Sequence, residues 1–231
     1  MKKETRTVES FDKISLKDFG TLILKQGDQE SLTIEADEEL LPELISEVRD
    51  GKLILGIEDD WLNRIGKVIS SIFNHKEHKV IYNITCVDLK KISISGHCDL
   101  MCDSLEVDDL SLHISGLGDL RFNHLACDSL GVHISGRGEF EAAGQVSDQK
   151  FYISGSGEVE APNLNSSTAK VVISGQGNAT LRVQENLDIT ISGLGQVNYY
   201  GHPKLRQVIS GMGKSKRLND KQTQLEKEEG R

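Results

Sequence analysis

The chain has 231 residues, a formal net charge of −9, and 37% hydrophobic but only 5% aromatic residues. That length admits one domain or two small ones and a substantial core. The acidic balance excludes the nucleic-acid-binding class, which needs a concentrated basic surface, and no run of about eighteen apolar residues offers a transmembrane helix.

The opening MKKETRTVESFDK carries the positive residues of a signal peptide, but no apolar stretch follows. The expectation is therefore a soluble cytoplasmic protein, with the cell envelope or surface as the alternative. Residues 8–92 read as irregular coils of strand. Alternation runs through Phe11, Ile14 and Leu16, then Leu22 and Leu24, then Leu32 and Ile34, with turns at Asp18-Phe19-Gly20 and Gln26-Gly27-Asp28. LISEVR and KLILGIE flank Asp50-Gly51, a strong two-residue hairpin signal.

Residues 60–74 read as an amphipathic helix, with Trp61, Leu62, Ile65, Val68, Ile69, Ile72 and Phe73 on one face behind an Asp59-Asp60 cap. Its expected role is to cover the solenoid that follows. A docking surface for a partner, formed by Trp61, Ile65, Ile69 and Ile72, and a membrane contact are the other readings.

From residue 93 to 213 one unit returns seven times, beginning at Ile94, Ile114, Ile134, Ile153, Ile173, Ile191 and Ile209 and reading Ile-Ser-Gly-x-Gly in all but the first, where Cys98 replaces the second glycine. The steps are 20, 20, 19, 20, 18 and 18 residues, which suit one turn of a stacked solenoid. Strand parity puts Ile94, Gly96, Cys98 and Leu100 inside and Ser95, His97 and Asp99 outside. Glycine inside a strand costs roughly 0.5–1 kcal/mol relative to alanine, so its recurrence at Gly116, Gly118, Gly136, Gly138, Gly155, Gly157, Gly175, Gly177, Gly193 and Gly195 marks a structural demand. The cause expected is a sharp bend, or a positive φ, at one corner of each coil, with neighbouring coils too close to admit a Cβ. The fold expected is all-β, a single-stranded parallel β-helix, right-handed for coils of this length, with the one amphipathic helix packed on it. A charged tail without apolar periodicity is expected over 214–231.

These features together resemble a known family. The N-terminal stretch VESFDKISLKDFGTLILKQGDQESLTIEADEELLPELISEVRDGKLIL, the VDLKKISISG entry to the repeats and the GQVNYYGHPKLRQVISGMG ending are similar to the family described as "putative auto-transporter adhesin, head GIN domain". The resemblance covers about residues 8–213 and implies a β-helical domain of bacterial envelope or surface proteins, with adhesion as its role and no catalytic residues.

The outward carboxylates Asp99, Asp119, Glu139 and Glu158 could collect a cation, yet charges about 5 Å apart in water repel by only ~0.8 kcal/mol, so a solvated acidic ridge suffices. His113 and His133 share a column without a third ligand. The GxG pairs lack the third glycine of a dinucleotide fingerprint. Four cysteines, Cys86, Cys98, Cys102 and Cys127, show no CxxC pairing and read as free buried thiols. The functional expectation is a non-catalytic structural or adhesin-like module for an unknown protein or glycan ligand, with no cofactor or metal; a homo-oligomer is compatible with it. A carbohydrate-active lyase or hydrolase on a β-helix is the alternative.

Overall fold

The computed structural model describes residues 1–57 and 79–219. The strands are β1 (Lys2–Arg6), β2 (Lys13–Leu16), β3 (Phe19–Gln26), β4 (Ser31–Ala36), β5 (Leu44–Arg49), β6 (Lys52–Ile57), β7 (Ile81–Cys86), β8 (Lys91–Ile94) and β9 (His97–Cys102). There follow β10 (Leu105–Ile114), β11 (Leu117–Ile134), β12 (Arg137–Ile153), β13 (Ser156–Ile173), β14 (Gln176–Ile191), β15 (Leu194–Tyr200), β16 (Lys204–Ile209) and β17 (Met212–Arg217). Together they wind into an all-β solenoid of about six turns.

Each Ser-Gly dipeptide is a corner between two strands. Residues before it stack in one column, as Ile94, Ile114 and Ile134 do, and residues after it in a second, as Leu100, Leu120 and Phe140 do. The isoleucines Ile94, Ile114, Ile134, Ile153, Ile173 and Ile191 are each at most 1% exposed. Full burial of such a side chain contributes roughly 1.5–3 kcal/mol, so this column is a main source of stability. At the corner the N–H groups of Ser115 and Gly116 both donate to the Ile94 carbonyl, at 2.8 and 3.4 Å, and the Ser115 hydroxyl donates to the same oxygen at 3.2 Å. Serine therefore adds a donor just where the ladder bends.

The corner glycines answer to close approach, not to backbone sign. Among the described residues only Gly20, Gly51, Gly144 and Gly201 are glycines with positive φ. A Cβ on Gly116, Gly136, Gly155 or Gly193 would instead lie 2.0 Å from the carbonyl oxygen of the corner glycine one coil before, and on Gly175 2.2 Å. The second glycine of the unit is less constrained at first. A Cβ on Gly118 would meet the Ile114 and Leu120 side chains at 3.3 Å, which is why Cys98 fits the same place one coil earlier. Later the space closes, to 2.6 Å from the Gly118 oxygen at Gly138, 2.7 Å from the Gly157 oxygen at Gly177 and 2.0 Å from the Gly177 oxygen at Gly195, while Gly157 is enclosed by isoleucine side chains at about 3 Å.

The N-terminal region contains a further coil of the same kind. Lys13-Ile14-Ser15-Leu16 pairs in register with Lys91-Ile92-Ser93-Ile94, and β3 with β9, so that Lys17-Asp18 stands where later coils have Ser-Gly. One coil further out, β6 and β7 flank the corner, and Asp18 Oδ2 accepts the Ile57 N–H at 2.8 Å. Beyond these the pairing reverses. Asp50 (φ 51°) and Gly51 (φ 69°) turn the chain so that β5 lies antiparallel to β6, while β4 lies antiparallel to β7 and β1 antiparallel to β4.

The expected fold is corrected on two points. Among the described residues there is no α-helix, only a 3-10 turn at Leu41–Glu43, and no helix packs on the solenoid. The stretch 60–74, with Trp61, Ile65, Ile69 and Ile72, lies outside the described residues. At the N-terminal end β5 and the β4–β1 pair themselves continue the strand columns, so that edge is covered by strands and not by a helix. Second, the ladder is not parallel throughout, because these closing strands run antiparallel. At the other end, β17 carries the last coil to Arg217, so residues 214–217 belong to a strand; residues 220–231 lie outside the described residues.

Candidate functional site

Parallel in-register stacking turns every outward repeat position into a ladder. Asp99, Asp119, Glu139 and Glu158 stand one above another in the strands after the corner, continued by Asn178, Gln196 and Lys214. A second ladder two residues on, which sequence reading passed over, runs Arg121, Glu141, Glu160, Thr180, Asn198 and Lys216. It was legible in the same parity as the first.

The two ladders are electrostatically distinct. Arg121 Nε donates to Glu141 Oε2 at 2.6 Å, and Thr180 donates to Glu160 Oε1 at 3.1 Å. Partial burial, assisted by the charges of Glu158, Glu139 and Glu141, pushes the Glu160 carboxyl above its usual range despite the Thr180 bond. Shallow grooves follow these ladders, one of ≈ 620 Å³ between Asp99, Asp119, Arg121 and Glu141 and another of ≈ 440 Å³ along Asp119, Glu139 and Glu158. Among the described residues no group of three or more His, Cys, Asp or Glu is arranged to hold a metal ion.

The strands before the corner carry an aromatic stack. His113 and His133 lie with ring centroids 4.6 Å apart and 7° between planes, His133 and Tyr152 at 4.7 Å and 9°, and Lys170 Nζ sits 5.8 Å from the Tyr152 centroid. Burial and the nearby Lys91 lower both histidine pKa values, so the rings stack as neutral imidazoles at pH 7. Their faces are spent on one another.

An open groove of ≈ 1090 Å³ lies elsewhere, between Gln26, Asp28, Glu106, Asp108, His124 and Asp128. Gln26 lines it and pairs with the Glu106 backbone in both directions, donating to the carbonyl at 2.8 Å and accepting from the N–H at 2.8 Å. Cys127 lines this groove at 9% exposure, while Cys86, Cys98 and Cys102 are at most 2% exposed. Cys86, Cys98, Cys102 and Cys127 are all free and buried, and burial pushes Cys98, Cys102 and Cys127 up to about 12.

A β-solenoid cornered by Ile-Ser-Gly units with outward ladders has a counterpart among known families, whose model, described as "Putative auto-transporter adhesin, head GIN domain", matches residues 10–203. The chain belongs to this family. Its head GIN domain shares its fold with a putative adhesin from Bacteroides fragilis, at 22% identity over 94% of this chain and 96% of that one, with a TM-score of 0.78. A putative adhesin from Parabacteroides merdae is similar at 19% identity, TM-score 0.66, over 94% and 96% of the two chains. A protein from Parabacteroides distasonis described as a putative lipid binding protein is similar at 18% identity, TM-score 0.65, with the same coverage. No curated protein matches the chain.

Proposed function

We propose that this head GIN domain is a non-catalytic, adhesin-like binding module that works at the cell envelope or surface and engages a protein or glycan. The observation that carries the reading is the in-register acidic ladder Asp99, Asp119, Glu139 and Glu158 with the parallel Glu141 and Glu160. Such a ladder offers like groups at a spacing of about 4.8 Å along one direction. That periodicity suits an extended ligand with repeating polar or cationic groups. Catalysis by a carbohydrate-active enzyme asks instead for an acid and a base set on opposite sides of one scissile bond, and here the carboxylates line up along one face.

The test is binding of the full chain to immobilised glycans and envelope proteins, beside a variant carrying Asp99→Asn, Asp119→Asn, Glu139→Gln and Glu158→Gln. Retention of the wild type and loss in the variant, at equal melting temperature, supports the module. Release of new reducing ends or unsaturated sugars from a bound polysaccharide would overturn it in favour of an enzyme. Fractionation of cells expressing the full-length protein tests the location.

A further inference from the structure

The last coil differs in charge from the rest of the chain. From Ile189 to Asn219 there is no Asp or Glu, while Lys204, Arg206, Lys214, Lys216 and Arg217 all fall in this stretch. The five are exposed, and none has an ion-pair partner among the described residues. Some cations elsewhere sit beside acids, as Lys3 does on Glu35, Arg121 on Glu141 and Lys150 on Asp148, and others such as Lys25 and Arg137 do not; what sets the last coil apart is that its cations share it with no acid. A chain of net charge −9 thus ends its described solenoid in a coil whose only charges are basic, with Asp188 of the coil before in register beside Arg206.

The same coil exposes apolar side chains. Val208 is 56%, Ile209 36% and Met212 76% exposed, and Met212 stacks in register on Leu194, itself 40% exposed. Ile209 continues the column of Ile173 and Ile191, which are fully buried. It is uncovered because, among the described residues, β16 pairs only with β14 and β17 only with β15. Edge lysines alone would be ordinary protection against strand pairing; exposed Met, Val and Ile among them are not.

Charge decides the occupant. A second copy docking through the same end would set five cations against five. A polyanion in water would pair with the cations and leave Met212 and Val208 wet. A bilayer with anionic headgroups satisfies both, since apolar side chains enter the headgroup boundary while Lys and Arg meet the phosphates.

We propose that the C-terminal end of the solenoid is a docking face for anionic phospholipid membranes. Val208, Ile209 and Met212 enter the boundary region and Lys204, Arg206, Lys214, Lys216 and Arg217 pair with headgroup phosphates. The inference goes beyond the ligand-binding reading and does not rest on it: it sets the solenoid axis out from the membrane, with the β1 and β5 end outermost.

Co-sedimentation of the full chain with vesicles tests this, comparing phosphatidylglycerol–phosphatidylcholine mixtures with phosphatidylcholine alone. Binding is expected to the mixed vesicles only, and to fall steeply as salt rises from about 0.05 to 0.5 M. Each cation near such a surface contributes roughly fivefold in affinity, so Lys214→Glu, Lys216→Glu and Arg217→Glu together should weaken binding by about a hundredfold or more. Met212→Ser should weaken it with little change in salt dependence. Because all four side chains are exposed, melting temperatures should stay at the wild-type value. Equal binding to neutral vesicles, wild-type binding by the triple variant, or capture by heparin without capture by vesicles would each overturn the proposal. So would loss of binding in Ile69→Asp with retention in the triple variant, which would place the contact in residues 58–78.

Discussion

The two ends of the solenoid continue the same strand columns and finish them in opposite ways. At the N-terminal end the chain reverses direction, so β5 covers the edge of β6 and the β4–β1 pair continues beyond β7. Arg6 ties this closure together by donating to the Leu44 carbonyl, to the Ser46 hydroxyl at 3.0 Å and to the Leu41 carbonyl at 2.7 Å. At the C-terminal end nothing among the described residues stacks on β16 and β17, and the core column ends at a partly exposed Ile209. The lesson is that a parallel solenoid carries no instruction to stop. One end is terminated by antiparallel strands, the other by charge.

The comparison is broken most severely inside the regular coils. Gly136→Ala should cost about 4 kcal/mol or more, because its Cβ would lie 2.0 Å from the Gly116 carbonyl oxygen and a backbone neighbour cannot yield. The adjacent outward Arg137→Ala should leave the denaturation midpoint within experimental scatter. Next in size is the N-terminal closure. Arg6→Ala would strip donors from the Leu41 and Leu44 carbonyls and should lower stability by roughly 1–3 kcal/mol, seen as early hydrogen exchange in β1 and β5 with the Ile-Ser-Gly coils still protected.

Gly118→Ala should cost under about 1 kcal/mol, since its Cβ would meet side chains at 3.3 Å and Cys98 already fills the equivalent place. A cost equal to that of Gly136→Ala would show that the two glycines of the unit do the same job. The smallest effect is with pH. His113 and His133 have folded pKa values below the ordinary 6.5, so the unfolded chain takes up protons first. Their contribution is complete above pH 6.5 and is lost as pH falls through and below that value. Melting temperature should therefore decline on acidification in this window, and less so in His133→Gln. An unchanged decline in that variant would remove the histidine stack as its source.

Much of the coil geometry was legible in particular residues. Parity placed Ile114 and Leu120 inside and His113 and Asp119 outside, and counting along the repeat set Cys102 on Phe122 and Cys127 on Val107, the register observed. The acidic ladder followed from the same count. The second ladder, Arg121 to Lys216, was present in that parity too, but its residues were read only as lacking the third glycine of a dinucleotide fingerprint.

What the sequence alone determined is the stacked solenoid, because in a repeat each coil touches the one that precedes it in the chain, and local period therefore becomes contact. The tertiary structure alone decided the ends and the cause of the glycines. Lys13-Ile14-Ser15-Leu16 is a coil only by pairing with β8, far along the chain, and nothing in its Lys17-Asp18 corner announces that. The antiparallel closure depends likewise on β4 meeting β7 across a long separation. Whether the corner glycines need a positive φ as well as a close approach was decided by the structure: their φ is not positive, and a Cβ on them would lie about 2 Å from the carbonyl oxygen of the preceding corner. Such distances belong to the packing of one coil on another, which no single coil encodes.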